Sequence, residues 1–211
     1  MFKKSLLALI LFTFISCGPR VMVPIIMVPP EIDLLPYENV GLISFSVENA
    51  EGQLDEMATQ RFLQEITRFQ RGVQIIELGP LDDVLGKINK TSLDQEAMRA
   101  IGEYFGVISF FHGKIKISDV KPDVDIAALI KSLRVRASFN ISMTARLFLT
   151  ETGATLWTDS VFRKESLANL SLGKGQIPYF GVKDQDETHK ILVENMVYEL
   201  TRDFRPTKRR L

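Results

Sequence analysis

The chain has 211 residues, 26 basic and 26 acidic side chains, and a hydrophobic fraction of 45%. That is enough for one core-forming domain of about 100–200 residues and too apolar for bulk disorder. A formal charge of zero lacks the cationic footprint of a nucleic-acid binder, so neither DNA nor RNA is an expected partner.

The first sixteen residues read as a signal peptide. Lys3 and Lys4 form a basic n-region, and the apolar stretch from Leu6 to Ile15 is too short to span a bilayer, which takes about 20 apolar residues. It ends in Phe14-Ile15-Ser16-Cys17, which resembles the lipobox of bacterial lipoproteins, with Phe14 where leucine is usual. Cys17 is the single cysteine of the chain, so it has no internal disulfide partner and is the expected lipidation site. Several acyl chains, each contributing about 0.8 kcal/mol per buried methylene, give a lasting anchor where one chain does not. Removing residues 1–16 takes away Lys3 and Lys4 and no acid, leaving 24 basic and 26 acidic side chains, a net charge of −2. No later segment reaches the length of a second helical span. Gly18 stands where the inner-membrane retention signal would place Asp, so the expected address is the outer membrane, with the protein facing the periplasm.

Residues 17–37 form a tether. Five of the nine prolines fall here (Pro19, Pro24, Pro29, Pro30 and Pro36), and proline excludes helix. Val21-Met22-Val23 and Ile25-Ile26-Met27-Val28 are too apolar for a solvated linker. Two readings stand: the strand packs along its own domain, or it docks on a neighbouring subunit or partner.

Residues 38–205 carry the pattern of a packed α/β domain. Val40 to Val47 is a buried-strand run, and Leu54, Ala58, Phe62, Ile66 and Phe69 recur at helical spacing. A second strand, Val73 to Leu78, leads through Gly79-Pro80 into a short helix, Leu81 to Ile88. Ser92 and Gln95 have the spacing of a capping box for a further helix with Leu93, Met98, Ile101 and Phe105 on its apolar face, closed by Gly106. A third strand runs from Val107 to Ile117. From Val135 to Leu149 every odd position is apolar, which predicts a long strand with one buried face. Thr150-Glu151-Thr152-Gly153 is a turn, and Ala154 to Glu165 returns as the second arm of an antiparallel hairpin. The last helix, about Asp186 to Phe204, presents Leu192, Val193, Met196, Val197, Leu200 and Phe204. The predicted fold is a mixed sheet of about five strands with flanking helices, in the order β-α-β-α-α-β-β-β-α. Residues 206–211 form a basic tail, and Lys208-Arg209-Arg210 reads as solvated rather than as a headgroup-binding patch.

Several of these segments resemble the CsgG/LpoB-like superfamily of bacterial lipoproteins. They are Pro30-Glu31-Ile32-Asp33-Leu34 before the first strand, Ala100-Ile101-Gly102 to Gly106 leading into Phe111-His112-Gly113-Lys114-Ile115, and Ala145-Arg146-Leu147 with Thr152-Gly153-Ala154-Thr155-Leu156-Trp157. The resemblance implies a fold similar to the anticodon-binding and TolB amino-terminal domains, without catalytic residues. Its members include a curli secretion channel subunit, ring-forming export lipoproteins and activators of peptidoglycan synthases, so it does not choose among these functions. The segments Ser118–Leu133 and Leu167–Val182 correspond to the insertions that make membrane hairpins in the channel. The first shows no period-two apolar face and the second alternates only briefly, so a β-pore is disfavoured.

No chemistry stands out. His112 and His189 lack the spaced ligands of a metal site, Asp82-Asp83 and Asp184-Asp186-Glu187 fit helix first turns, and Gly173-Lys174-Gly175 lacks the context of a phosphate loop. No catalytic residue, metal, cofactor or small-molecule substrate is assigned, and the chain is not expected to be an enzyme. The expected partners are membrane lipid through acylated Cys17 and an envelope protein or further copies of the chain. Two functions follow: a protein-binding adaptor or activator of an envelope machine such as a peptidoglycan synthase, or a subunit of a homo-oligomeric ring for secretion or export, CsgG-like without transmembrane hairpins.

Overall fold

A computed structural model describes residues 25–123, 136–168, 171–172, 178–180 and 187–210. In chain order the elements are β1 (Ile25–Val28), β2 (Asn39–Glu48), β3 (Glu51–Gly52), α1 (Leu54–Phe69), β4 (Gln74–Gly79), α2 (Leu81–Lys87), α3 (Gln95–Phe105), β5 (Ser109–Asp123), β6 (Arg136–Leu149), β7 (Thr155–Ala168), β8 (Ser171–Leu172), β9 (Pro178–Phe180), α4 (Glu187–Leu200) and β10 (Thr207–Arg210). Two compact units are distinguished: the described residues of 30–206, and a smaller one that joins residues 25–29 to 207–210.

The larger unit is built on a five-stranded mixed sheet of order β4-β2-β5-β6-β7. β2 runs parallel to both β4 and β5, and β5, β6 and β7 are antiparallel neighbours. Fold class and element order agree with the sequence pattern. The odd positions of β6 do face inward: Phe139, Ile141, Met143, Ala145 and Leu147 are buried under α1 and α4, with Leu54, Ala58, Phe62 and Ile66 from one helix and Leu192, Val193, Met196, Val197 and Leu200 from the other. Phe62, Phe111, Trp157 and Phe204 meet edge to face in this core, the last two with ring centroids 4.7 Å apart. Gly113 sits on the inward face of β5 directly against the Phe45 ring, so no side chain fits there.

A buried glutamine closes this unit. Gln70, at the end of α1, accepts the Leu34 N–H through Oε1 at 2.8 Å and donates through Nε2 to the carbonyls of Ile32 at 2.9 Å and Phe204 at 2.8 Å. The Ile32 N–H donates to the Asp203 carbonyl at 3.0 Å, and Trp157 Nε1 donates to Asp203 Oδ2 at 3.0 Å. The Pro30–Leu34 segment is therefore held by polar bonds to the end of one helix and to the turn that follows another.

Three details differ from the sequence reading. The helix after Ser92 begins later than a Ser92 cap requires: Asp94 is the N-cap, its Oδ1 accepting from the Ala97 N–H at 2.8 Å, and the Ser92 hydroxyl lies 3.5 Å from Asp94 Oδ2. An ionised carboxylate is the stronger acceptor at the positive end of a helix. The strand expected to end at Ile117 continues to Asp123, because β6 supplies a ladder partner as far as Arg136 and a register shift between Ser118 and Lys121 absorbs the break before Pro122. The helical-looking Ile126–Ile130 lies outside the described residues. Parts of the second candidate insertion, β8 and β9, form a small sheet with β3. In the smaller unit, β1 pairs antiparallel with β10, Ile26 opposite Arg209 and Met27 opposite Lys208.

Candidate functional site

The two faces of the five-stranded sheet are finished differently. Below α1 and α4 the face is closed. On the other side α2 and α3 cover one end only, through Ile43, Leu78, Val84, Met98, Ile101, Val107, Phe110 and Phe148. Beyond Phe148 the even positions of β6 turn polar, with Ser142 and Thr144 half-buried and Arg146 exposed. The facing positions of β5 are His112, Lys114 and Lys116, and those of β7 are Thr158, Ser160, Phe162 and Lys164, all four exposed. The Thr144 and Ser160 hydroxyls lie 2.8 Å apart across the strands, and Phe162 is 60% exposed among these polar neighbours.

Where α3 ends its cover, a half-open cleft of about 450 Å³ is lined by Leu93, Met98, His112, Lys114, Thr144, Arg146 and Phe148. The register sets its geometry: His112 is directly opposite Arg146 and Lys114 directly opposite Thr144, pairs whose Cα atoms lie about 4.5–5.5 Å apart in an antiparallel ladder. Lys114 Nζ is 2.5 Å from Glu48 Oε1, and that bond holds the Glu48 carboxyl below its ordinary range. Arg146 has no carboxylate partner among the described residues. Burial holds the His112 imidazole below its usual pKa, and the positive charges of Lys114 and Arg146 push it the same way. His112 Nε2 is shielded from solvent and has no hydrogen-bond partner among the described residues. Among the described residues the cleft is thus lined by basic and apolar side chains and by no acid.

A second cleft, of about 400 Å³, is rimmed by Asp55, Glu56, Glu77 and Asp82 at the opposite edge of the sheet. Among the described residues no three His, Cys, Asp or Glu side chains are grouped to hold a metal ion, and no helix is long and apolar enough to cross a membrane. Cys17, Asp184, Asp186 and Gly173-Lys174-Gly175 lie outside the described residues, while Asp82 and Asp83 occupy the first turn of α2. The sequence reading treated His112 as an isolated histidine and did not single out Arg146 as a partner. A signal was present, since His112-x-Lys114 and Thr144-x-Arg146 hold the polar positions of neighbouring strands, but only the register joins them.

The fold and this surface define a mixed α/β domain with one closed sheet face and one open, basic-aromatic face. No protein-family model and no curated protein matches the chain. Among solved structures it is similar to the PelC dodecamer from Paraburkholderia phytofirmans (9% identity over 86% of this chain and 96% of that one, TM-score 0.48). It is also similar to lipoprotein GNA1162 from Neisseria meningitidis (12%, 77% and 97%, TM-score 0.43) and to the LpoB C-terminal domain from Salmonella enterica (10%, 61% and 84%, TM-score 0.38). The structures this chain resembles therefore include LpoB C-terminal domains and other bacterial lipoproteins.

Proposed function

We propose that this chain is an outer-membrane lipoprotein, anchored through acylated Cys17, whose periplasmic α/β domain is a non-catalytic adaptor that binds and positions or activates an envelope protein. The observation that carries this reading is the open face of β5, β6 and β7. An exposed phenylalanine and an arginine on a rigid sheet, ringed by small hydroxyl side chains, have the composition of a protein-binding patch, in which aromatic and arginine anchors supply most of the energy and the polar rim excludes water. The family resemblance in the sequence makes a peptidoglycan synthase the first partner to test.

A second reading, a subunit of a homo-oligomeric ring, is favoured by a different observation: Ile25 and Met27 of β1 are 60% and 58% exposed. Such side chains gain from cover by another copy. Site-specific photo-crosslinking of the full chain in cells separates the two. A benzophenone side chain at Phe162 is expected to give an adduct with a different envelope protein, and gently extracted protein is expected to have the mass of one copy with that partner. Self-adducts from a probe at Ile26, together with a mass of many subunits, overturn the adaptor in favour of the ring.

A further inference from the structure

We propose that the cleft between α3 and the β5–β6 pair is the specificity pocket of the open face, and that it receives a carboxylate from an acidic, extended segment of the partner protein. The proposal rests on the adaptor reading and names the chemistry of the partner that the reading leaves open.

Charge is the first argument. Three nitrogen-bearing side chains, His112, Lys114 and Arg146, line the cleft, and among the described residues no acid does. Lys114 is engaged by Glu48, so among the described residues Arg146 is the cleft cation without a carboxylate partner, and its planar fork suits a carboxylate in two-point contact. The second argument is independent of charge. His112 Nε2 is removed from water yet unbonded, and such an orphan is costly unless an incoming group completes it. In the tautomer carrying its proton on Nε2, a small turn of the imidazole toward the cleft brings that N–H to a carboxylate oxygen, so one anion satisfies both the imidazole and the guanidinium across the strand pair.

The third argument is shape. Leu93, Met98 and Phe148 line the same cleft, so the occupant carries an aliphatic group beside its acid. Thr144 of the cleft pairs with Ser160 on β7, two residues from the exposed Phe162, so a chain that runs on past the pocket meets further side chains on the same face where a free anion does not. An acidic residue next to an aliphatic one, in an extended segment of a protein, meets all three conditions.

The test uses the full chain in non-ionic detergent and a fluorescein-labelled hexapeptide of alternating Glu and Leu, with a Gln-Leu peptide as the uncharged analogue, both read by fluorescence anisotropy at low salt. The Glu peptide is expected to bind at least about tenfold more tightly than the Gln peptide, as a charge-assisted contact requires. Arg146→Glu is expected to remove that preference and, as an exposed site, to leave the melting temperature unchanged. Arg209→Glu, the same charge reversal on β10, is expected to leave it intact. Equal binding of the two peptides, or a preference that survives Arg146→Glu, overturns the pocket while leaving the adaptor reading to its own crosslinking test. Displacement of the peptide by millimolar inorganic phosphate as readily as by unlabelled peptide makes the cleft a small-anion site and overturns the assignment of a protein segment.

Discussion

The same three strands carry both faces of this protein, and they carry them under opposite rules. On the inward face of β6, Phe139 to Leu147 alternate at positions where every side chain is covered by α1 and α4. On the outward face, one residue along in each case, Ser142 and Thr144 are half-buried and Arg146 is exposed. Because successive strand residues point to opposite sides, one stretch of backbone packs the core with its odd positions and turns Ser142, Thr144 and Arg146 to the other side. The lesson is that burial and exposure are divided here by parity, not by segment.

The sharpest way to break this division is to charge each face in turn. Ile141→Asp places an unpaired carboxylate among fully buried side chains and is expected to cost more than about 4 kcal/mol, enough to abolish a cooperative melt. Ser142→Asp, its neighbour, is expected to stay within about 0.5–1 kcal/mol. Equal losses in circular-dichroism melts refute the register.

Removing the polar closure of the inward side comes next. Gln70→Leu keeps the volume but strands the Leu34 N–H and the Ile32 and Phe204 carbonyls. A loss of about 3 kcal/mol in denaturant unfolding is expected, since each abandoned buried group costs about 1–3 kcal/mol and water will reach some of them. A loss below 1 kcal/mol would show that the Pro30–Leu34 segment is held by its apolar contacts alone. Gly113→Ala tests packing on the same side: the new methyl overlaps the Phe45 ring, and about 1–3 kcal/mol is expected from overpacking. Phe45→Leu in the same chain is expected to recover part of it, and its failure to do so would move the strain elsewhere.

The smallest effect belongs to the outward face. Because the folded-state pKa of His112 is lowered by burial and by Lys114 and Arg146, the folded protein takes up its proton later than the unfolded chain does. Its contribution to stability is therefore fully present above the unfolded value of about 6.5 and is lost as pH falls below it. His112→Gln is expected to flatten that part of the stability–pH curve, as measured by urea midpoints between pH 7.5 and 5. An unchanged slope would mean that the imidazole is as accessible to protons in the fold as in the unfolded chain.

Local signals carried much of the architecture. The period-two run of β6 named its own buried side, the three- and four-residue spacing of Leu54 to Ile66 marked a helix, and Gly106, at φ 68°, ended α3 as its sequence indicated. The cap of α3 was misread because Ser92 and Asp94 both make good caps at this helix start, and only the formed backbone shows which carboxylate or hydroxyl faces the free N–H groups. The length of β5 was underestimated because its last six residues have little pattern of their own and are ordered by the strand opposite.

The sequence by itself determined the two-sidedness of the sheet, the class of the fold and the expectation of a lipid anchor at Cys17, because these depend on periodicity and on short contiguous motifs. The tertiary structure alone decided that Gln70 bonds to segments 36 and 134 residues away, that Ile25–Val28 pairs with Thr207–Arg210, and that His112 faces Arg146. Each of these is a relation between residues far apart in the chain, set by strand register and helix packing, and no local pattern of charge or hydrophobicity specifies which distant neighbour a side chain will meet.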